Sequence, residues 1–262
     1  MLRQLIGTFV LRPYVFGFLL AYLLLAAPAW GWRRTLLYTA LGYLLAFGAE
    51  YSSIHNGFPF GPYTYVSEPT RERELWVAGV PFMDSLFFVF LTFAGLQAAR
   101  LALAPLRPGR LHRWDWRWAR PFDVPGWRVW VLVGLLTMGL DVVIDPVALL
   151  GERWFLGRIY LYPGGGPYFG IPLANFASWA LVAWTVTGGF LLLERLVLGR
   201  ALREWRGYMA DALGGAALFA AVLAFNPAVT FAIGEVLMGL VGCFWAALML
   251  GAVVVRVGRR HA

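Results

Sequence analysis

Apolar runs long enough to cross a lipid bilayer recur from one end of the chain to the other, and no other feature restricts its fold so severely. A run of about 17 to 25 predominantly apolar residues spans a hydrocarbon core of roughly 30 Å. Such runs fall near residues 13 to 30, 35 to 51, 80 to 104, 128 to 149, 171 to 193, 209 to 225 and 230 to 255. Of the 262 residues, 60% are hydrophobic and only 14% charged, where soluble domains carry roughly 25% charged residues. The reading is all-α: a polytopic membrane helix bundle of about seven transmembrane helices, one integral membrane domain over residues 1–262. The sixth run is the shortest, and Pro227 is expected to end it because proline has no backbone donor.

The charges describe a topology rather than a ligand. All 22 basic residues are arginine and the formal net charge is +8. They sit in short segments between apolar runs, not on a folded basic face, which argues against nucleic acid as a partner. With the amino terminus outside, Arg33, Arg34, the arginines from Arg100 to Arg128, those from Arg195 to Arg206, and Arg256, Arg259 and Arg260 fall inside. Arg3, Arg12, Arg71, Arg73, Arg153 and Arg158 fall outside. This excess obeys the positive-inside rule and makes the chain a multi-pass cell-membrane protein with its carboxyl terminus in the cytoplasm. Arg3 and Arg12, ahead of an apolar run that ends in Ala27-Pro28-Ala29, also resemble a signal peptide with its cleavage site. The stretch 105 to 126, with Trp114, Trp116 and Trp118 among arginines, suits the headgroup layer. Cys243 is the only cysteine, so no intrachain disulfide or thiol relay can form.

Ionisable groups beside or inside membrane spans are costly and point to function. Glu50 ends the second run, Asp84 opens the third, Asp141 and Asp145 lie on the last turns of the fourth, and Asn175 opens the fifth. Alternating helix direction sends all of them toward the outer leaflet. Asp141 and Asp145 are four residues apart and so share one helix face. In a poorly hydrated site two such carboxyls share a proton, which makes a general acid and base pair. His55 among scattered carboxylates points to no metal. The connections 52 to 79 and 150 to 170 are long for membrane loops and rich in Gly, Pro, Tyr and Trp. Their aromatic rings are suited to lining an apolar slot and to stabilising a carbocation through their π faces.

Several patterns fail. Asn226-Pro227-Ala228 matches the loop triplet of water channels but occurs once. Ser52, Ser53 and His55 lack an orienting acid and an oxyanion donor, and no phosphate-cradling GxxxxGK loop is present.

As an ordered set, Glu50 to Tyr65 ending in Phe-Gly-Pro-Tyr-Thr-Tyr, Val80-Pro81 to Asp84, Asp141 to Ala148, and Pro167 to Phe176 resemble the membrane carotenoid biosynthesis family that contains carotenoid C1′,2′-hydratases, bisanhydrobacterioruberin hydratase among them. The resemblance covers roughly residues 40 to 185, with Ser178 standing where glycine is expected in relatives. It implies addition of water across the terminal double bond of an acyclic carotenoid, through a tertiary cation and without a cofactor. Under that reading Asp141 or Asp145 is the acid, and Glu50 or Asp84 holds the water. His55, Phe60, Tyr63, Tyr65, Trp154, Tyr168, Phe169, Asn175 and Trp179 bind the membrane-embedded carotenoid. Other carotenoid pathway enzymes are the expected partners, a glycosyltransferase acting on the tertiary alcohol among them.

Two enzyme readings compete. The Asp141-Val-Val-Ile-Asp145 pattern also suits magnesium on a diphosphate, as in membrane polyprenyltransferases, although their second aspartate-rich segment is missing. A carotenoid cyclase would begin with the same protonation. A transporter or pigment-binding scaffold is the noncatalytic rival, and no internal repeat of the transporter kind is evident in the sequence.

Overall fold

The computed structural model describes residues 1–66, 72–103, 126–197 and 209–258. Arg71, most of the stretch 105 to 126 with its three tryptophans, His112, the arginines from Arg200 to Arg206, and Arg259, Arg260 and His261 lie outside the described residues. The helices are α1 (Leu2–Leu11), α2 (Pro13–Trp30), α3 (Trp32–Asn56), α4 (Phe82–Leu103), α5 (Gly126–Leu149), α6 (Leu173–Val197), α7 (Met209–Ala232) and α8 (Val236–Gly258). The strands are short: β1 (Thr64–Tyr65), β2 (Trp76–Val77), β3 (Val80–Pro81) and β4 (Tyr160–Leu161).

Helices α2 to α8 coincide with the seven expected runs, and α1 is an additional short apolar helix. Among the described residues, α2, α4, α5, α6, α7 and α8 are both long and apolar enough to cross a membrane. Helix α3 has the length, at 25 residues, but its Arg33, Arg34, Glu50, Ser52, Ser53 and His55 make it more polar. Helix α4 is apolar all round and occupies the middle of the bundle, as such a helix must. It packs against α2, α3, α5, α6, α7 and α8, and 89% of its most apolar window is buried. Its one mid-span hydroxyl, Thr92, is satisfied by the Tyr38 hydroxyl at 2.9 Å.

Pro227 does not end the sixth run. Helix α7 continues through it to Ala232, as membrane helices tolerate an interior proline. Asn226 Nδ2 donates to the Val222 carbonyl at 2.9 Å, and Thr230 Oγ1 donates to the Asn226 carbonyl at 2.8 Å. Gly242 of α8 lies beside the ring, where a Cβ would sit in ordinary van der Waals contact with Pro227 Cγ at 3.5 Å.

The two long connections fold back onto the bundle. Helix α3 stops at Gly57, whose φ of 78° is left-handed and whose N–H reaches the Ser53 carbonyl at 2.8 Å. Further on, β1 pairs antiparallel with β4, so the two connections meet in a two-stranded sheet. Arg12, in the break between α1 and α2, pins both from below. Its guanidinium is 4% exposed, meets Glu74 at 2.5 Å and donates to the Leu156 carbonyl.

Removing one partner of a buried ion pair leaves the other uncompensated. Arg12→Leu is therefore expected to destabilise the protein by about 3–5 kcal/mol, read as a lower melting temperature in detergent. The double variant Arg12→Leu/Glu74→Leu should recover most of that loss.

Candidate active site

Glu50 from α3, Asp84 from α4, Asp141 and Asp145 from α5, and Asn175 from α6 all line one cavity. The space between its atoms amounts to about 910 Å³, part of it open to the exterior. Glu50, Asp141 and Asp145 are buried and Asp84 is half-buried. Among the described lining residues there is no arginine or histidine. Four carboxyls with no cation among the described lining residues cannot all be ionised in so poorly hydrated a place, because each added charge repels the others. The site must hold protons.

The hydrogen-bond donors come mainly from the small sheet. In a strand alternate side chains share a face, and Tyr65 stands opposite Tyr160 in the β1–β4 register. Tyr63, Tyr65, Tyr160 and Tyr162 thereby form one hydroxyl-bearing face over the carboxyls, all four lining the cavity. Tyr65 donates to Asp84 Oδ2 at 2.6 Å, and Tyr63 donates to the Tyr65 hydroxyl at 3.2 Å. Tyr160 donates to Asp145 Oδ1, and Tyr162 donates to Asp145 Oδ2 at 3.2 Å. Burial first, and then the Asp84 and Glu50 charges, push the Tyr65 hydroxyl well above the usual tyrosine range. Burial and the Asp145 charge do the same for Tyr160. These phenols therefore stay protonated and remain donors.

The α5 pair is unequal. Asn175 Nδ2 donates to Asp141 Oδ2 at 2.7 Å and to Asp145 Oδ2 at 3.0 Å. Asp145 thus accepts from three donors, a set suited to a carboxylate anion. Asp141 Oδ1 is buried and has no hydrogen-bond partner among the described residues. On the opposite side, Ser85 Oγ donates to Glu50 Oε2.

The rest of the wall is aromatic. Phe88 and Trp179 stack at 4.0 Å with an interplanar angle of 18°, and Phe60, Trp154 and Phe225 also line the cavity. Trp154 is held by its indole N–H, which donates to the Val147 carbonyl at 2.9 Å.

Of the residues named from sequence as substrate-binding, Phe60, Tyr63, Tyr65, Trp154, Asn175 and Trp179 line the cavity. His55, Tyr168 and Phe169 are not among its lining residues. His55 is exposed at the end of α3, its Nδ1 on the Tyr51 carbonyl at 2.7 Å. Phe169 and Gly170, with φ of 50° and 86°, form the tip of a tight turn closed by Ile171 N–H to Tyr168 O at 2.9 Å, which carries Phe169 away from the cavity. Tyr168 donates instead to the Val142 carbonyl at 3.2 Å. Sequence reasoning missed Tyr160, Tyr162 and Ser85. The Tyr160-Leu161-Tyr162 alternation was the available signal, since it matches Tyr63-Thr64-Tyr65.

Fold and site together define an integral membrane protein whose helices enclose a carboxyl-bearing, aromatic-walled cavity at one end of the bundle. Over residues 7–256 the chain matches the family described as carotenoid biosynthesis protein, and it belongs to that family. Comparison with curated proteins and with solved structures gives no match.

Tyr160→Phe deprives buried Asp145 of one donor and is expected to cost about 1–3 kcal/mol in thermal unfolding. His55→Ala, remote from the cavity, should stay within about 0.5 kcal/mol of the parent in the same measurement.

Proposed function

We propose that this protein is a cofactor-independent carotenoid hydratase that adds water across the terminal C1′,2′ double bond of an acyclic carotenoid. The observation that carries the reading is Asp141 Oδ1, a buried carboxyl oxygen without a partner beside a fully bonded carboxylate in an aromatic cavity. In the first step the Asp141 O–H bond breaks and its proton forms a C–H bond at C2′ with the alkene π pair. That leaves Asp141 as a carboxylate and C1′ as a tertiary cation. The faces of Phe60, Phe88 and Trp179 stabilise this cation, an effect worth up to about 2 kcal/mol each when desolvated. Water held by Asp84 and Glu50 then bonds through oxygen to C1′ and gives its extra proton to one of those carboxylates. The product is a tertiary alcohol, and the cycle closes when that proton returns to Asp141. Asp145, held by three donors, remains the anionic neighbour.

A neutral hydrocarbon end suits this cavity better than a diphosphate, whose charge would meet four carboxyls and no arginine among the described lining residues. In this reading the end group enters the cavity and the remaining polyene lies among lipid or along the bundle. In this reading the site faces the extracytoplasmic leaflet, where water reaches the interface.

The test is mass spectrometry of pigments from lycopene-producing bacterial cells with and without the protein. A product heavier by one water is expected. An isomer of unchanged mass would replace hydration by cyclisation. With Asp141→Asn at matched expression, conversion should fall by about 10²- to 10⁴-fold, the usual contribution of a general acid.

A further inference from the structure

Two stretches of the chain repeat the same construction. In the first, α3 carries Glu50, Tyr63-Thr64-Tyr65 contains β1, and Val77-Ala78-Gly79-Val80-Pro81 leads into α4, where Asp84 lies in the first turn. In the second, α5 carries Asp141 and Asp145, Tyr160-Leu161-Tyr162 contains β4, and Tyr168-Phe169-Gly170-Ile171-Pro172 leads into α6, where Asn175 lies in the first turn. The two turns share a backbone conformation that L-residues with side chains seldom adopt. Ala78 and Gly79 have φ of 47° and 85°, and Phe169 and Gly170 have φ of 50° and 86°. Val77 pairs with Val80 as Tyr168 pairs with Ile171. In both cases a proline follows, and the polar residue comes three positions after it.

The packing has the same symmetry. Within the arms α3 lies on α4 and α5 on α6; between them α4 lies on α5 and α3 on α6. The strands meet antiparallel, with Tyr65 opposite Tyr160, as a two-fold relation requires. The sequence conceals the repeat because the connections from strand to proline differ in length. Positions 84 and 175 are therefore equivalent places in two half-sites that share one cavity.

What differs is the chemistry there. Asp84 is an acceptor, bonded by Tyr65 at 2.6 Å. Asn175 is a donor, and both hydrogens of its Nδ2 are spent on Oδ2 of Asp141 and of Asp145. With Tyr160 and Tyr162 on Asp145, that leaves Asp141 Oδ1 as the one oxygen of the pair without a partner among the described residues.

We infer that the acid-to-amide difference between these duplicated positions divides the labour of the site, Asn175 being the positioning residue that directs the transferable proton to Asp141 Oδ1 while Asp84 serves as acceptor in the other half. An aspartate at 175 would bring a third carboxyl to the pair and remove the amide that bridges it. The assignment of proton delivery and proton acceptance to the two halves rests on the hydratase reading; the arrangement of Asn175 and the pair does not.

The test combines infrared spectroscopy with turnover in isolated membranes. The C=O stretching band of a protonated carboxylic acid, assigned by its loss in Asp141→Asn, should move in Asn175→Leu and move less in Asn175→Ser, which keeps one donor and guards against misfolding of the leucine variant. Asp84→Asn should leave that band in place. On lycopene, Asn175→Leu should lower kcat by about a hundredfold, with KM within about threefold, because the lost interaction belongs to the chemical step. A band that is absent from the parent, that stays in place in both Asn175 variants, or that moves equally in Asp84→Asn would overturn the inference. If the parent converts no pigment while the band moves as expected, the hydratase reading falls and the role of Asn175 stands.

Discussion

Three buried carboxyls and a fourth half-buried beside them, with no arginine among the described residues that line their cavity, impose a demand the rest of this structure answers. Lipid offers such groups no water, and an unpaired charge there is among the costliest features a protein can carry. The answer is a supply of neutral donors. Four tyrosines from two loops, a serine from α4 and an asparagine from α6 surround the acids. Because burial holds the phenols protonated, they supply hydrogen bonds without adding charge.

That supply explains why the two long connections are ordered as they are. A tyrosine reaches the acids only if its strand is placed within a few ångströms, and a strand of two residues has no stability of its own. The β1–β4 pairing, the Arg12–Glu74 ion pair and the Arg12 bond to the Leu156 carbonyl hold the loops down. The amino-terminal helices thus act on the site both through the loops they anchor and directly, through Tyr14 and Phe18 of α2 in the cavity wall. The duplicated turns at Ala78-Gly79 and Phe169-Gly170 do the same work at the helix entrances, setting where Asp84 and Asn175 enter the cavity.

The bundle and its site differ in how plainly a sequence shows them. Bilayer thickness sets helix length, so the spans corresponding to α2 to α8 are readable from hydropathy alone. The limits of that reading are local: Pro227 reads as a stop, yet α7 continues through it to Ala232. Site residues were readable where polarity conflicts with lipid, which is why Glu50, Asp84, Asp141, Asp145 and Asn175 stood out. Aromatic residues in loops carry no such conflict. His55, Tyr168 and Phe169 therefore looked as eligible as Tyr63 or Trp154, and Tyr160 and Tyr162 were overlooked.

By itself the sequence determined the membrane-spanning helical class, the approximate spans and the set of costly polar residues, because each follows from the free energy of placing a side chain in hydrocarbon. Convergence was decided only by tertiary structure. The meeting of β1 with β4, the bridge from Asn175 to both α5 aspartates and the equivalence of positions 84 and 175 all depend on contacts between segments far apart in the chain. Hydropathy is a property of one segment at a time. Which oxygen is left without a partner depends on every donor the fold brings to it.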